Sequence, residues 1–256
     1  MTNNTRTDTS TEATTGRIGA NYLFDNGVAP YASYSTSFVP SSGEDYSGKA
    51  FDPVEGEQIE LGIKYQPPGS RNLVSAAVYE ITQSNILTND PDPTHICNGG
   101  SCNVQTGEGR VRGFELEGTY ALTKTLSVRG SYTYMDATVT QSNSADLGKR
   151  LTRVPREIIS ARFDYRFARG LSLGMGVRYT GSFYGDSANT WKNSSRTLVD
   201  AAFRYNLAEL DRALRGLRLS VNASNLFDKK YVSCNGASAC FYGPRRLVSA
   251  NLTYEW

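Results

Sequence analysis

The sequence predicts an all-β fold, a transmembrane antiparallel β-barrel built from about eleven strands. Three observations carry this. Apolar and polar residues alternate with a period of two in segment after segment, which is the spacing of a strand rather than a helix. In the cleanest segments every mid-strand charge falls on the face opposite the aromatics, as at Phe163 and Tyr165 against Arg162, Asp164 and Arg166. Aromatics also recur at the same strand end, and the connections alternate between short and long. Lipid on one face, water on the other and an aromatic band at each interface account for all three. A soluble sandwich also alternates, but it has no reason to keep its aromatics at one end.

The elements follow in order. The segment 1–15 is polar and reads as an outside loop or tail, and 16–256 reads as barrel wall. Ile18, Ala20, Tyr22 and Phe24 share one face, and Asp25, Asn26 and Gly27 then supply a tight hairpin turn. A Tyr- and Ser-rich strand covers 30–39, and a polar loop covers 40–52. Ile59, Leu61, Ile63 and Tyr65 alternate with Gln58, Glu60, Gly62 and Lys64 before the turn at Pro67. A less regular strand spans 72–83, and a long loop is expected over 85–107.

Alternation then sharpens. Phe114, Leu116 and Tyr120 oppose Glu115, Glu117 and Thr119; Leu126, Val128, Tyr132 and Tyr134 oppose Ser127, Arg129, Ser131 and Thr133. Ile159 to Phe167 and Leu171 to Tyr179 repeat the pattern, followed by Val199 to Tyr205, Leu217 to Ala223 and Val248 to Trp256. Short turns fall near 25, 68, 123, 169 and 210, and long loops near 45, 95, 147, 190 and 236. Outer-membrane barrels have short periplasmic turns and long outside loops, so the asymmetry also gives each strand a direction. Tyr254 and Trp256 close the last strand at the periplasmic end.

Composition limits the alternatives. Only 39% of the 256 residues are hydrophobic, and no run approaches the roughly 18 to 20 apolar residues of a membrane helix. A barrel strand needs only about 10 residues, half of them apolar, so its hydropathy signal averages away. A net charge of +2, with basic and acidic residues interspersed, gives no nucleic-acid stripe. One histidine and no Gly-x-Ser-x-Gly or phosphate-cradling glycine loop leave no catalytic constellation, and an enzyme is not expected. The N-terminus has no apolar secretory core, so a targeting segment would lie upstream. Arg129, Arg162, Asp164, Arg166, Arg178 and Arg204 face inward and suggest ion-pair ladders or contacts to material filling the lumen.

Cys97 with Cys102, and Cys234 with Cys240, fall in long loops assigned to the outside. Two local disulfides are expected there. Zinc ligation is the rival, poorly served by these spacings and by the single His95.

Asn225, Leu226, Phe227, Asp228 and Tyr231, followed by a short loop and a final aromatic-ended strand, closely resemble the C-terminus of TonB-dependent outer-membrane receptors. The runs 54–65, 79–91 and 111–118 resemble consecutive strands of the ferric-siderophore branch, and 234–242 is similar to the last loop of ferrichrome-type hydroxamate receptors. The resemblance covers nearly the whole chain. It implies a 22-stranded barrel of which these are the last eleven strands, with a plug and a TonB box lying outside this sequence. The implied location is the bacterial outer membrane. The implied cargo is a ferric siderophore, with no resident cofactor. The implied partners are lipid and lipopolysaccharide, the TonB complex and the barrel assembly machinery. It assigns Tyr254 and Trp256 to an assembly signal. Phe241 and Tyr242 stand where that branch presents aromatics to its ligand, and an interfacial girdle is their other reading. His95, Tyr184 and Trp191 read as loop-packing residues. Another cargo, such as cobalamin or a saccharide, and a passive pore stay open as alternatives.

Overall fold

The structure is a computed structural model that describes residues 12–97, 100–236 and 239–256. Residues 1–11 of the expected N-terminal loop lie outside the described residues. Eleven strands form one antiparallel sheet: β1 (Arg17–Asn21), β2 (Val28–Val39), β3 (Val54–Tyr65), β4 (Leu73–Asn89), β5 (Asn103–Ala121), β6 (Leu126–Gln141), β7 (Glu157–Arg166), β8 (Leu171–Thr180), β9 (Arg196–Asn206), β10 (Leu217–Ser224) and β11 (Leu247–Tyr254). Each pairs with its neighbour in sequence, so the sheet is an up-and-down meander without crossovers.

Register turns the alternation of single strands into rows. Met175 lies opposite Phe163 on one side and Ala201 on the other. Leu173 lies between Tyr165 and Phe203, and the row continues through Val221 to Ala250. On the other face Ser172 lies between Arg166 and Arg204, and the row runs on to Ser220 and Asn251. A one-residue slip would exchange the faces, so a single register satisfies both solvents. The apolar rows are not covered by protein: Leu61 is 55% exposed, Met175 48% and Leu252 63%. The buried apolar residues Phe51, Phe183 and Leu198 lie at the long-loop end or in the loops. A sandwich would bury these rows against a second sheet. Here they form an outward wall, and the sequence reading of a membrane barrel stands.

The aromatics gather at the strand ends as expected. At the short-turn end Tyr22 meets Phe24 with ring centroids 4.7 Å apart, and Tyr165 meets Phe167 at 4.4 Å, both edge to face. Tyr254 and Trp256 stand 6.5 Å apart in the same band. The short turns are compact. Gly27, at φ +86°, donates to Phe24 O and accepts from Gln66 N, tying the first two turns together. A Cβ there would lie 1.9 Å from Gln66 O, so only glycine fits. The last short turn holds two 3-10 turns the sequence did not announce, Leu207–Glu209 and Arg212–Leu214. Asn206 and Asp211 cap them by accepting from Ala208 N and Ala213 N.

The expected loop over 85–107 is corrected. β4 continues to Asn89 and β5 begins at Asn103, with register irregularities around Ile86 and a left-handed Asn85. This stretch stands beyond the regular apolar rows. Thr88 and Gly107 are buried there and Ile86 and Leu87 half-buried, so loop packing rather than lipid sets the pattern, and the backbone groups still pair.

Candidate functional site: the loop assemblies at the long-loop end

The long loops dock into two groups. The first joins 142–156, 181–195 and 225–246. Asn225, at φ +48° and almost fully buried, turns the chain out of β10. Its backbone N–H donates to Asp200 Oδ1 at 2.9 Å. Its Nδ2 donates to Lys229 O at 2.9 Å and Pro244 O at 3.1 Å, and its Oδ1 accepts from Lys229 N at 2.8 Å. Leu226 N donates to Val199 O. Asp228 accepts from Arg245 Nε at 2.8 Å and from Arg246 N at 2.9 Å. The Arg245 bonds hold its carboxyl well below the usual carboxylate range. Tyr231 lies over Gly243, where a Cβ would sit 2.0 Å from the ring, and the Arg196 guanidinium stacks 4.8 Å from the same ring. Phe227 stays 71% exposed. Most of this motif thus clasps the two ends of the last loop together.

Cys234 and Cys240 are bonded at 2.10 Å and join two short strands, Val232–Cys234 and Cys240–Tyr242. Cys234 N donates to Asn193 Oδ1 at 2.7 Å, and Asn193 Nδ2 returns a bond to Cys234 O at 2.9 Å. A Cβ on Gly185 would come within 2.0 Å of Cys234 O, so the two loops need a glycine at their contact. Asp186 Oδ1 accepts from Trp191 N, and Tyr184 O accepts from Arg153 N, which ties the backbone of both residues into the loop packing, with Trp191 itself 39% exposed. Phe241 and Tyr242 stand on the stapled hairpin, 63% and 87% exposed. They lie off the eleven-stranded sheet, on a separate two-stranded hairpin.

The second group joins 40–53 and 90–102. Cys97 and Cys102 are bonded at 2.04 Å. All four cysteines are therefore in disulfides. Asp52 N donates to Gln105 Oε1, and Gln105 Nε2 donates back to Asp52 O. His95 stacks on Tyr46 at 3.8 Å. Its Nδ1 is 2.8 Å from Asp90 and its Nε2 is 3.6 Å from Asp92. The Asp90 bond raises the His95 pKa and lowers that of Asp90, and Asp92 is lowered too. Stabilisation from the raised histidine is complete below about pH 6.5 and is lost as pH rises through its folded value. The carboxylates act oppositely, losing theirs as pH falls through their own lowered values. Hydrogen exchange in 90–102, corrected for intrinsic rate, should therefore be slower at a pH just below 6 than at pH 8.5. Equal protection would refute the coupling.

On the lumen face Arg162 pairs with Asp164 at 2.8 Å and Arg178 with Asp200 at 2.8 Å. Asp200 also holds Asn225, so the lumen wall and the motif share one carboxylate. Arg166 departs from the expected ladder, since its Nη2 donates to Lys124 O in a short turn. Arg129 lies across from Arg162 in register.

An apolar outer wall, a charged inner wall and disulfide-stapled long loops define one class of protein: a transmembrane β-barrel with its long loops gathered at one end. The chain belongs to the family described as TonB dependent receptor-like, beta-barrel, which matches residues 1–226. It is 44% identical over 247 residues to the ferrichrome outer membrane transporter/phage receptor of Escherichia coli K12, covering 94% of this chain and 32% of that protein. It is 38% identical to the ferrioxamine B receptor of Salmonella typhimurium, covering 98% of this chain and 35% of that one. Among solved structures, the siderophore receptor PiuA of Acinetobacter baumannii superposes with a TM-score of 0.77 at 26% identity, over 94% of this chain and 35% of PiuA. The chain thus spans about a third of the length of these relatives. They are transport receptors, not enzymes. Barrels of this family lie in the bacterial outer membrane, and this wall stands there.

Proposed function

We propose that 16–256 serves as the last eleven strands of a 22-stranded, TonB-energised receptor that imports a ferric siderophore of the hydroxamate class. The 44% identity over nearly the whole chain to a ferrichrome transporter carries this reading. The iron is cargo held by the siderophore, the chain needs no cofactor of its own, and it has no catalytic part. TonB acts through the preceding portion of the protein, with lipopolysaccharide around the wall. Tyr254 and Trp256 serve the barrel assembly machinery as its recognition end.

The stapled hairpin gives Phe241 and Tyr242 a chemical role. Two exposed aromatics on a stiffened loop offer contact area with little ordering entropy left to lose. They would pack against the siderophore backbone around its iron. Deleting the full-length gene should abolish uptake of radiolabelled ferrichrome or ferrioxamine B, and uptake left intact for both overturns the cargo class. In the restored receptor, Phe241→Ala combined with Tyr242→Ala should weaken siderophore binding about tenfold or more. Unchanged affinity would return the pair to a packing role.

A further inference from the structure

Three short turns are fastened side by side: 122–125 between β5 and β6, 167–170 between β7 and β8, and 207–216 between β9 and β10. Arg166 N donates to Thr125 O at 2.8 Å and its Nη2 to Lys124 O at 3.2 Å, which joins the first turn to the second. Asn206 N donates to Gly170 O at 3.1 Å, which joins the second to the third. Gly170, at φ +68°, permits that approach, since a Cβ there would lie 2.9 Å from Asn206 Cβ and from Glu209 Cγ. Neighbouring turns stand two strand spacings apart, about 10 Å, so the three make one continuous rim.

Each turn repeats the same pair of features. Leu122, Phe167 and Leu210 are 54%, 44% and 71% exposed. Leu122 and Phe167 keep the strand parity of Tyr120 and Tyr165, so they carry the outward apolar face into the turns. Two residues further on, each turn presents an exposed cation: Lys124, Arg169 and Arg212, with Arg215 closing the third turn. The acids of the three turns are Glu209 and Asp211, and Asp211 Oδ1 already accepts from Ala213 N. Four cations against two acids leave a surplus of two positive charges. Among the described residues, none of the four cationic side chains forms an ion pair.

A lone exposed lysine or arginine is ordinarily a solvated surface charge. The repeat sets this rim apart. Water gives no reason to leave an apolar side chain exposed at one turn after another, always at the same distance before a cation. A membrane interface gives one: the apolar side chain dips among acyl chains, and the cation reaches out to the phosphates. The rim also runs on without a break from the lipid-facing wall and its aromatic band.

We propose that this rim binds anionic phospholipid in the leaflet at the short-turn end, which is the periplasmic one in outer-membrane barrels. Lys124, Arg169, Arg212 and Arg215 hold the headgroup phosphates, and Leu122, Phe167 and Leu210 seat against the adjoining chains. The surplus charge selects a net anionic headgroup, such as phosphatidylglycerol, over a zwitterionic one, by about fivefold for each basic residue engaged. The surface rests on the membrane reading of the sheet and is independent of the cargo assigned to the loops.

Full-length receptor should be embedded in nanodiscs of chain-matched phosphatidylcholine and phosphatidylglycerol in equal amounts, released in mild detergent, and examined by native mass spectrometry. Wild type should retain more phosphatidylglycerol than phosphatidylcholine. Lys124→Gln, Arg169→Gln, Arg212→Gln and Arg215→Gln together should lower retained phosphatidylglycerol about fivefold or more, with retained phosphatidylcholine and heat-modifiable mobility unchanged. The charge-preserving set Lys124→Arg, Arg169→Lys, Arg212→Lys and Arg215→Lys should keep the preference. Raising the salt from about 0.02 M to about 0.5 M should weaken the preference of wild type, a test that needs no variant to fold. Equal phosphatidylglycerol retention in wild type and the glutamine set, or a preference indifferent to salt, overturns the proposal. Equal losses in both substituted sets also overturn it, since the turns would then act through the fold rather than through charge. Cation-dependent cosedimentation with peptidoglycan, without any lipid preference, would give the rim to the wall polymer and overturn it as well.

Discussion

Expressed alone, residues 12–256 are expected not to form a stable, heat-modifiable barrel in lipid vesicles. β1 and β11 are the two edges of the sheet. Alternate residues along each edge turn their N–H and C=O outward, and each such group facing hydrocarbon costs several kcal/mol. Over the eight residues of β11 alone the sum reaches about 10 kcal/mol or more, comparable to the whole stability of an ordinary domain. A second copy does not remove the problem. Eleven antiparallel strands leave β1 and β11 running in the same direction, so two copies inserted in the same orientation would meet only through parallel seams. A segment whose end strands both run the opposite way closes both edges with antiparallel ladders. Refolding with the preceding strands of the full-length receptor should therefore restore heat-modifiable mobility and protease resistance. A compact, protease-resistant band from the isolated stretch would refute this account of the edges.

In the full-length receptor, Met175→Arg should destabilise the folded state by about 2–4 kcal/mol. Met175 occupies the middle of β8 in an apolar row between Phe163 and Ala201. A guanidinium there meets acyl chains at mid-depth and has no lumen to reach. Ala202→Arg provides the contrast. Ala202 lies on the opposite face, in register with Gly174 and Asn222, and the Arg162–Asp164 ion pair flanks Gly174. Its cost should stay under about 1 kcal/mol, because an arginine there remains in water. Denaturant titration from bilayers reads both. Equal losses would mean that the two faces do not meet different solvents.

Both outcomes follow from alternation that was legible in the residues themselves. A period of two needs only the neighbours at i±2, and lipid on one side enforces it through every membrane-crossing strand. Where that pressure stops, legibility stops too. Residues 85–89 and 103–107 lost their alternation and read as loop, although they form ladder. Cys97 with Cys102 and Cys234 with Cys240 were readable because each pair is local. The Asn193 clasp on Cys234 spans 41 residues and left no local mark. The stacking of Tyr46 on His95 and the unpaired donors of Arg150 were equally hidden.

The motif shows the same division. Asn225 and Asp228 marked a family, but the chain alone did not say what they hold. Their partners, Asp200, Pro244 and Arg245, come together only after β9, β10 and β11 have paired. The amino-acid order by itself settled the number and order of the strands of the sheet, their two faces across the membrane span and the local cysteine pairs, because hydrophobic alternation and short-range geometry are written in adjacent residues. Tertiary structure alone decided which loops fasten to which, and which charged groups lack partners. Those depend on contacts between segments that meet only once the backbone ladder is complete.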